Sequence, residues 1–310
     1  MWQNPRTMDV QDDRGISSLL IGTERKLCGG FGFTEGPVWV PSDRALLFSD
    51  IPSSRTHRWR PDQSEAEVYR EPSGWANGLT LDGDGNVIAC EHGGRRVARI
   101  PYDSPSTAET LANHWGERAL NSPNDVVMHS SRAIFFTDPG YGADTGREPP
   151  LGARGQKQEL DFQGVYRIDP DGSLHLLAPS DFTQPNGLCF TPDESALYIN
   201  DSAERVIWRY AMNEDLSLGA RSLFVDQRGD PRRGNPDGMK VDTDGRLWTT
   251  GAGGISVHTA DGDYLGAFEM EEHAANLTFG GEGFATLFMT AATSVYAIQT
   301  AVRGIAPGSR

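Results

Sequence analysis

Short apolar runs recur along the chain, and a polar turn precedes five of them. Each of these turns carries a carboxylate or a carboxamide side chain at its head, and successive heads are 42 to 62 residues apart. Behind each turn follow an apolar strand, an acidic or glycine-containing turn, a second apolar strand and two weaker strands. A repeat of this length, with one hydrophilic position kept at the head of a strand, predicts sheets arranged radially around an axis. The five turns are Glu35-Gly36-Pro37, Asn77-Gly78-Leu79, Asn124-Asp125-Val126, Asn186-Gly187-Leu188 and Asp237-Gly238-Met239.

A sixth copy of the unit is visible at Leu277 to Phe279 and Ala285 to Thr290, so the sequence predicts an all-β, six-bladed β-propeller. In this copy Ala275 takes the place of the oxygen-bearing head. The copy also ends early, near Ile298, which would leave an unpaired sheet edge, and folded proteins avoid such edges. The apolar segment 16–28 lies outside the first unit, and we expect it to supply the missing strand and close the ring.

The composition fits a single domain of many short strands. The 310 residues include 36 glycines and 19 prolines spread along the chain, which favours tight turns over long helices. We interpret residues 1–310 as one domain, because propellers exceed the usual domain length as one body. No stretch reaches the apolar length that crosses a bilayer, and residues 1–14 lack the apolar core of an export signal. A cytoplasmic protein without a membrane partner is the expectation.

The chain is acidic, with 43 Asp and Glu against 28 Lys and Arg and a formal net charge of −15. Nucleic acids and anionic membranes bind clustered Lys and Arg, so this balance argues against both as partners. The three cysteines, Cys28, Cys90 and Cys189, are far apart and outside any CxxC spacing. They indicate neither a disulfide framework nor a thiolate metal site, and we expect small buried residues at these positions.

The innermost strand of every propeller blade lines the central channel and begins at the same face. We therefore expect the five heads, Glu35, Asn77, Asn124, Asn186 and Asp237, to ring one mouth of the channel. Carboxylate and amide oxygens suit a hard divalent cation, with calcium the first expectation and magnesium or manganese as alternatives. Zinc is possible but would be expected to recruit histidine or cysteine. Alternatively the heads only form turns, since Asn-Gly and Asp-Gly are common turn formers, although Glu-Gly-Pro is a poor one.

The second strand of each blade runs back and ends at the same face. This places Asp50, Glu91, His92, Asp138 and Asp201 in a second ring near the mouth. The three aspartates either act behind the first ring or only cap strand ends. His92 either contacts a ligand or is a structural histidine.

The longest insertion, residues 139–162, follows Asp138 and should emerge at the same mouth. Loops of this length in compact domains are usually lids or disordered segments. We expect a lid over the channel mouth, and a flexible surface excursion is the alternative.

Five segments at blade spacing together resemble the gluconolactonase/regucalcin family, which includes senescence marker protein and luciferin-regenerating enzyme. Each segment is short, but five in order are a strong signal, and the resemblance runs from about Gly32 to Ile298. The run from Glu91 to Arg96 and the loop after Asp138 look more like the bacterial gluconolactonase branch. The five segments are Thr34-Glu35-Gly36-Pro37, Ser122-Pro123-Asn124-Asp125, Thr137-Asp138-Pro139-Gly140-Tyr141-Gly142, Pro185-Asn186-Gly187-Leu188 and Asn235-Pro236-Asp237-Gly238-Met239.

The resemblance implies a six-bladed propeller with one divalent cation in its channel. The metal ligands would be Glu35, Asn186 and Asp237, and Asn124 would lie close to the metal and contact the substrate. Regucalcin-like members carry an arginine two residues before this asparagine, where the present chain has Ser122. This difference argues against the regucalcin substrate.

These features predict metal-dependent hydrolysis of a sugar lactone, such as a glucono-, xylono- or arabinonolactone, to the aldonic acid. The cation would polarise the carbonyl group and stabilise the oxyanion as water attacks. Asp237 is the first choice for the base that activates the water, and His92 is the second. Asn124, Asn77 and His92 would orient sugar hydroxyl groups.

Two other functions are left open by the residues. The same cation could assist hydrolysis of a phosphotriester or another non-sugar ester, or the chain could be a metal-binding propeller without turnover. The sequence shows no glycine-rich phosphate loop, nucleophile elbow or redox motif, which argues against covalent serine chemistry and nucleotide cofactors.

Overall fold

The protein is described by a computed structural model that covers residues 9–146, 148, 150–178 and 181–308. Its strands form six antiparallel sheets of at least four strands, arranged as blades around a channel. Two 3₁₀ turns, Ile16–Leu19 and Glu282–Phe284, are the helical elements of the described residues. The predicted all-β, six-bladed β-propeller is confirmed.

Each blade is a meander whose strands follow one another from the channel outward. Before the first blade lie β1 (Asp9–Gln11) and β2 (Leu20–Gly29). Blade 1 consists of β3 (Thr34–Val40), β4 (Ala45–Asp50), β5 (Arg55–Trp59) and β6 (Glu67–Arg70), and blade 2 of β7 (Ala76–Leu81), β8 (Val87–Glu91), β9 (Arg96–Ile100) and β10 (Glu109–Ala112). A small hairpin, β11 (His114–Trp115) and β12 (Arg118–Ala119), leads to blade 3, which is β13 (Val126–Met128), β14 (Ile134–Asp138), β15 (Gly164–Ile168) and β16 (Leu174–Ala178). Blade 4 consists of β17 (Pro185–Phe190), β18 (Ala196–Asp201), β19 (Val206–Met212) and β20 (Leu218–Asp226). Blade 5 consists of β21 (Met239–Val241), β22 (Leu247–Gly251), β23 (Gly254–His258) and β24 (Tyr264–Glu269). Blade 6 consists of β25 (Ala274–Gly280), β26 (Thr286–Ala291) and β27 (Ser294–Thr300).

The second strand of each blade is buried along its whole length, as in β4 and β8. Such strands have a neighbouring blade on each face, and they therefore read as continuous apolar runs rather than as alternating ones. The outer strands are less buried, as in β5, where Thr56 and Trp59 are buried and Arg58 is half-buried. The apolar runs found in the sequence are thus the inner strands.

The hydrophobic core consists of six clusters, one between each pair of neighbouring blades. The cluster between blades 6 and 1 contains Trp39 and Phe288, whose rings stack with centroids 5.3 Å apart. The three cysteines are free and buried, as expected, and belong to three of these clusters. Because each blade shares its core with both neighbours, the inner strands are held at fixed positions around the channel.

The ring is closed by the chain before blade 1. Strand β2 pairs antiparallel with β27, so it forms the outer strand of blade 6. The first part of segment 16–28 is not a strand, because Ile16–Leu19 forms a 3₁₀ turn that packs beside blade 5. Strand β1 pairs with β24 and adds a fifth strand to blade 5. No helix in the described part of the chain has the length and apolarity needed to span a membrane.

The lower end of the channel is covered by the last described residues. The N–H of Thr243 donates to the carbonyl of Arg303 at 2.8 Å, and the N–H of Gly304 donates to the carbonyl of Phe284 at 2.9 Å. These bonds carry Ile305 to Gly308 across the lower mouth, where they line a cavity with the inner strands. Ligands can therefore enter the channel through its upper mouth.

We expect deletion of residues 1–29 to lower Tm by about 10 °C and to cause aggregation, because it exposes the edge of β27. Deletion of residues 1–14 removes β1 but keeps β2, and it should change Tm by about 3 °C or less. Thermal unfolding and size-exclusion chromatography measure both effects. Equal behaviour of the two deletions would show that β2 does not hold the ring together.

Candidate metal centre

Five polar heads of the inner strands meet in one pocket at the upper mouth. Glu35, Asn77, Asn124, Asn186 and Asp237 all line this pocket, which has a volume of about 400 Å³. The side chains of Glu35, Asn77, Asn124 and Asn186 are 5% exposed or less, and Asp237 is partly exposed. The structure thus brings together every head that the sequence pattern singled out, while their roles as ligands remain predictions.

The heads are aimed into the channel by irregularities in the inner strands. The pairing of β3 with β4 shifts register between Glu35 and Val38, and similar shifts occur in blades 2, 4 and 6. Such a bulge re-aims the side chain that it carries. Gly36 has a φ of +51°, and a Cβ atom there would lie 1.9 Å from the backbone oxygen of Asn77. The glycine after the head therefore serves both the turn and the close approach of the next blade.

Three aspartates at the ends of second strands hold the backbone just before a head. The carboxylate of Asp138 accepts hydrogen bonds from the N–H groups of Asn121 and Ser122, both at 2.8 Å. Burial raises the pKa of Asp138 to about 7, although these bonds oppose the shift. The aspartates therefore act on the backbone rather than on a ligand. The other two contacts are Asp50 with the N–H groups of Gly32 and Phe33, at 3.0 and 3.1 Å, and Asp201 with those of Thr183 and Gln184, at 2.6 and 3.1 Å.

His92 is the member of the expected second ring that lines the pocket. Its Nδ1 lies 2.9 Å from the carbonyl oxygen of Leu151, so Nδ1 carries the proton and donates. Nε2 then accepts from the side-chain amides of Asn77 at 3.2 Å and Asn124 at 3.5 Å. Burial lowers the pKa of His92 to about 4, so the ring is neutral near pH 7. Its neighbour Glu91 is bound by two arginines and has a structural role.

Two of the carboxamides present oxygen rather than nitrogen to the pocket. The amino groups of Asn77 and Asn124 are turned toward His92, which leaves their amide oxygens as acceptors for the pocket. Asn186 differs, because its amino group donates to the hydroxyl of Ser202 at 3.1 Å and its side chain also hydrogen-bonds to Asp237.

The two carboxylates of the mouth repel each other. Burial raises the pKa of Glu35 to about 7, and burial followed by the charge of Glu35 raises the pKa of Asp237 well above its usual value. Oxygen Oε2 of Glu35 accepts from the N–H of Gly36 at 2.8 Å and from the amide of Asn276 at 2.9 Å, which leaves Oε1 for the pocket. A cation between the carboxylates would relieve their repulsion.

The donor set fits a hard divalent cation. It consists of two carboxylates and inward-facing amide oxygens, which are the ligands that calcium and magnesium prefer. Among the described residues no group of three or more His, Cys, Asp and Glu side chains is arranged to hold a metal ion. The fit therefore depends on amide oxygens as well as carboxylates, which argues against zinc.

The structure adds four side chains to the site that the sequence pattern did not assign: Tyr141, Ser202, Asn276 and Asp125. Tyr141 lines the pocket and interacts with Asn186 and Ser202, and burial raises the pKa of its phenol to about 12. Asn276 donates a hydrogen bond to Glu35. Ala275, which takes the head position in blade 6, has no oxygen side chain, as expected. The signals were present in the sequence: Tyr141 lies in the Pro-Gly-Tyr-Gly segment, and Asn276 follows Ala275 directly. The fourth side chain, Asp125, lies below the ring of heads, where burial raises its pKa.

The described residues of segment 139–162, which leave out residues 147 and 149, pack over one side of the mouth. Tyr141 and Leu151 from this segment line the pocket. The side chain of Gln156 donates to the carbonyl of His92 at 2.8 Å, and the N–H of Gly142 donates to the hydroxyl of Ser122 at 2.9 Å. These bonds make the segment a wall of the pocket, and its opening and closing remain a prediction.

The comparisons with known proteins agree with the propeller fold. The family model described as SMP-30/Gluconolactonase/LRE-like region matches residues 33–293. A gluconolactonase of Zymomonas mobilis is 32% identical over 293 residues, which cover 88% of this chain and 80% of that protein. A pentonolactonase of Haloferax volcanii is 31% identical over 265 residues, or 83% of this chain and 81% of that protein. A solved gluconolactonase structure from Xanthomonas campestris has a TM-score of 0.84 at 32% identity and covers 96% of both chains.

The neutral, buried state of His92 predicts a pH dependence of stability. Unfolding raises its pKa from about 4 to 6.5, so the unfolded chain binds a proton that the native state excludes. The contribution is complete above pH 6.5 and falls as the pH drops toward 4. We expect His92 to account for a loss of about 2 kcal/mol between pH 7 and pH 5. Urea unfolding with chelator present should show a smaller loss in His92→Asn. His114→Asn, at an exposed position, should match the wild type; equal losses in all three proteins would contradict the assignment.

Proposed function

The chain belongs to the SMP-30/gluconolactonase/LRE-like family, and we propose that it hydrolyses a sugar lactone to the aldonic acid with the help of one divalent cation. The observation that carries this proposal is the pocket in which Glu35, Asp237 and inward-facing amide oxygens converge. Glu35, Asn186 and Asp237 would hold the ion. The named relatives act on glucono- and pentonolactones, which supports the same substrate class for this chain.

A divalent cation in this pocket would polarise the lactone carbonyl and stabilise the negative charge that develops on its oxygen. The residues around it bind and orient the substrate. The amide oxygens of Asn124 and Asn77 accept hydrogen bonds from sugar hydroxyl groups, while Phe33, Ile51 and Leu151 give the pocket an apolar side. An apolar side limits the water around the reacting carbonyl and strengthens each polar contact.

Asp237 is the base in this proposal. Its carboxylate takes a proton from water as the water oxygen bonds to the carbonyl carbon. It then returns that proton to the ring oxygen as the carbon–oxygen bond of the lactone breaks. His92 is less suited, because its Nδ1 donates to Leu151 and its Nε2 accepts from two amides.

Calcium is the proposed ion, because three protein ligands leave positions for water and substrate within its six to eight oxygen ligands. Magnesium and manganese fit the same donors. Segment 139–162 is proposed as a lid, since it carries Tyr141 and Leu151 to the wall of the pocket. A cytoplasmic location also stays a prediction.

We expect chelator to abolish acid release from glucono-, xylono- and arabinonolactones in a pH-stat assay, and calcium or manganese to restore it. Asp237→Asn should lower kcat about 10³-fold, since it removes the base and one negative ligand. Glu35→Gln should weaken metal binding. Asp244→Asn, on an exposed turn of the same blade, is the matched control and should keep full activity. Activity that survives both chelator and Asp237→Asn would eliminate the metal mechanism, and metal binding without turnover of any lactone or ester would favour a non-enzymatic propeller.

Asn124→Ala should raise KM for the lactone about tenfold, because the amide oxygen that accepts a sugar hydroxyl is lost. The effect on kcat should be smaller. Steady-state kinetics with saturating metal separate the two constants. An unchanged KM would show that Asn124 does not contact the sugar.

A further inference from the structure

A second layer of side chains lies directly below the ring of heads. The residue that follows each head faces the inside of the channel, and it is glycine in blades 1, 2, 4 and 5. The exceptions are Asp125 in blade 3 and Asn276 in blade 6. A Cβ atom on Gly78 would lie 2.6 Å from Oδ1 of Asp125, and one on Gly238 would lie 2.0 Å from Oδ1 of Asn276. The glycines therefore make room for these two side chains at the channel axis.

Asp125 is a third buried carboxylate of the channel. Its side chain is 3% exposed, and Oδ1 accepts from the N–H of Val126 at 2.9 Å. Oxygen Oδ2 is buried as well, and the backbone N–H of Leu188 also bonds to the carboxylate. The charge of Asp125 acts on Glu35 from blade 1 and on Asp237 from blade 5, so three alternate blades each bring one carboxylate to the channel. Such a group of buried carboxylates is stabilised by an opposite charge nearby.

Lys240 supplies a positive charge from below. It lies three residues after Asp237 on β21 and lines the lower cavity together with Val38, Thr80, Val127, Cys189 and Thr278. Its ammonium donates to the carbonyl of Met239 at 3.0 Å, and its charge acts on both Asp125 and Glu35. The histidines of the upper pocket, His92 and His273, both have pKa values lowered by burial and add no charge near pH 7. At the lower mouth, His129 is paired with Glu194 at 3.2 Å.

We infer that Asp125 and Lys240 form an inner charge pair that matches the channel to a doubly charged ion. This inference rests on the proposed metal site and assigns it two residues that need not touch the ion. With an ion bound and all three groups ionised, Glu35, Asp237 and Asp125 would carry three negative charges, and Lys240 would cancel one of them. The remaining two negative charges are neutralised by one divalent cation.

The physical reason is the low dielectric of the channel interior. A unit charge a few ångströms from a divalent ion changes its binding far more in a buried site than in water. Removing Asp125 leaves one negative charge too few for a divalent ion. Removing Lys240 leaves one too many, which favours a trivalent ion. Removing both restores the original balance with neither residue present.

The test is calcium and lanthanum binding to the chelator-stripped full-length chain, measured by isothermal titration calorimetry. Asp125→Asn keeps the acceptor for Val126 and should weaken calcium binding about tenfold or more. Lys240→Met should shift the ratio of lanthanum to calcium affinity about tenfold toward lanthanum. The double variant should bind calcium within about threefold of the wild type, because the two effects compensate.

Asp242→Asn is the matched control. Asp242 is fully buried in blade 5, and its carboxylate accepts from Trp248 and Arg246 at 3.0 Å, away from the upper mouth. The control should lower Tm and leave calcium affinity within about twofold, since loss of a buried carboxylate partner costs stability. Calcium binding of Asp125→Asn within twofold of the wild type, or a double variant no better than Asp125→Asn, overturns the charge pair. Failure of the wild type to bind any of these ions would instead overturn the proposed function.

Discussion

The repulsion between two carboxylates of the pocket, Glu35 and Asp237, is the interaction on which the rest of the channel mouth depends. Each loses hydration on burial, and the negative charge of Glu35 adds to the rise in the pKa of Asp237. A protein can keep such a pair only if its backbone is rigid and if the energy is recovered elsewhere. The amides of Asn77 and Asn124, whose amino groups are turned toward His92, leave their oxygens for the same pocket, which adds partial negative charge instead of relieving the repulsion. That combination is unfavourable for the empty site and favourable for a site that holds a cation.

The six-bladed architecture provides the rigidity. Each inner strand is fixed by the apolar clusters on its two sides, so a head cannot move away from its neighbour without disturbing two blade interfaces. At Gly36 the backbone of the next blade approaches so closely that no side chain fits. The aspartates Asp50, Asp138 and Asp201 then hold the backbone two and three residues before a head. Buried packing and backbone hydrogen bonds together oppose the electrostatic repulsion at the centre.

The sequence was sufficient to predict the propeller and the five heads, because both follow from a periodic pattern along the chain. It was not sufficient for contacts between blades, which have no periodic signal. In the sequence, Asp125 is the second residue of an ordinary turn. Its position near Glu35 and Asp237 follows only from the closed ring of blades. The contact of Asn276 was not predicted, because Ala275, one residue earlier, takes the head position in the repeat pattern. The role of His92 depends on the carbonyl of Leu151, 59 residues away in the sequence, and no local pattern predicts such a pairing.

The position of Ser122 shows how a loop can replace a charged side chain. Regucalcin-like relatives are expected to carry an arginine there, which would project into the substrate pocket. In this chain the Ser122 hydroxyl is fully buried; it donates to the carbonyl of Pro139 at 2.5 Å and accepts from the N–H of Gly142 at 2.9 Å. Both partners flank Tyr141, so the serine fixes the start of segment 139–162 and with it the phenol at the pocket wall. Glycine is required at position 142, because a Cβ atom there would lie 2.7 Å from the Cβ of Ser122. The wall of this pocket is therefore built by backbone and phenol contacts of the long loop, which pack closely on the serine.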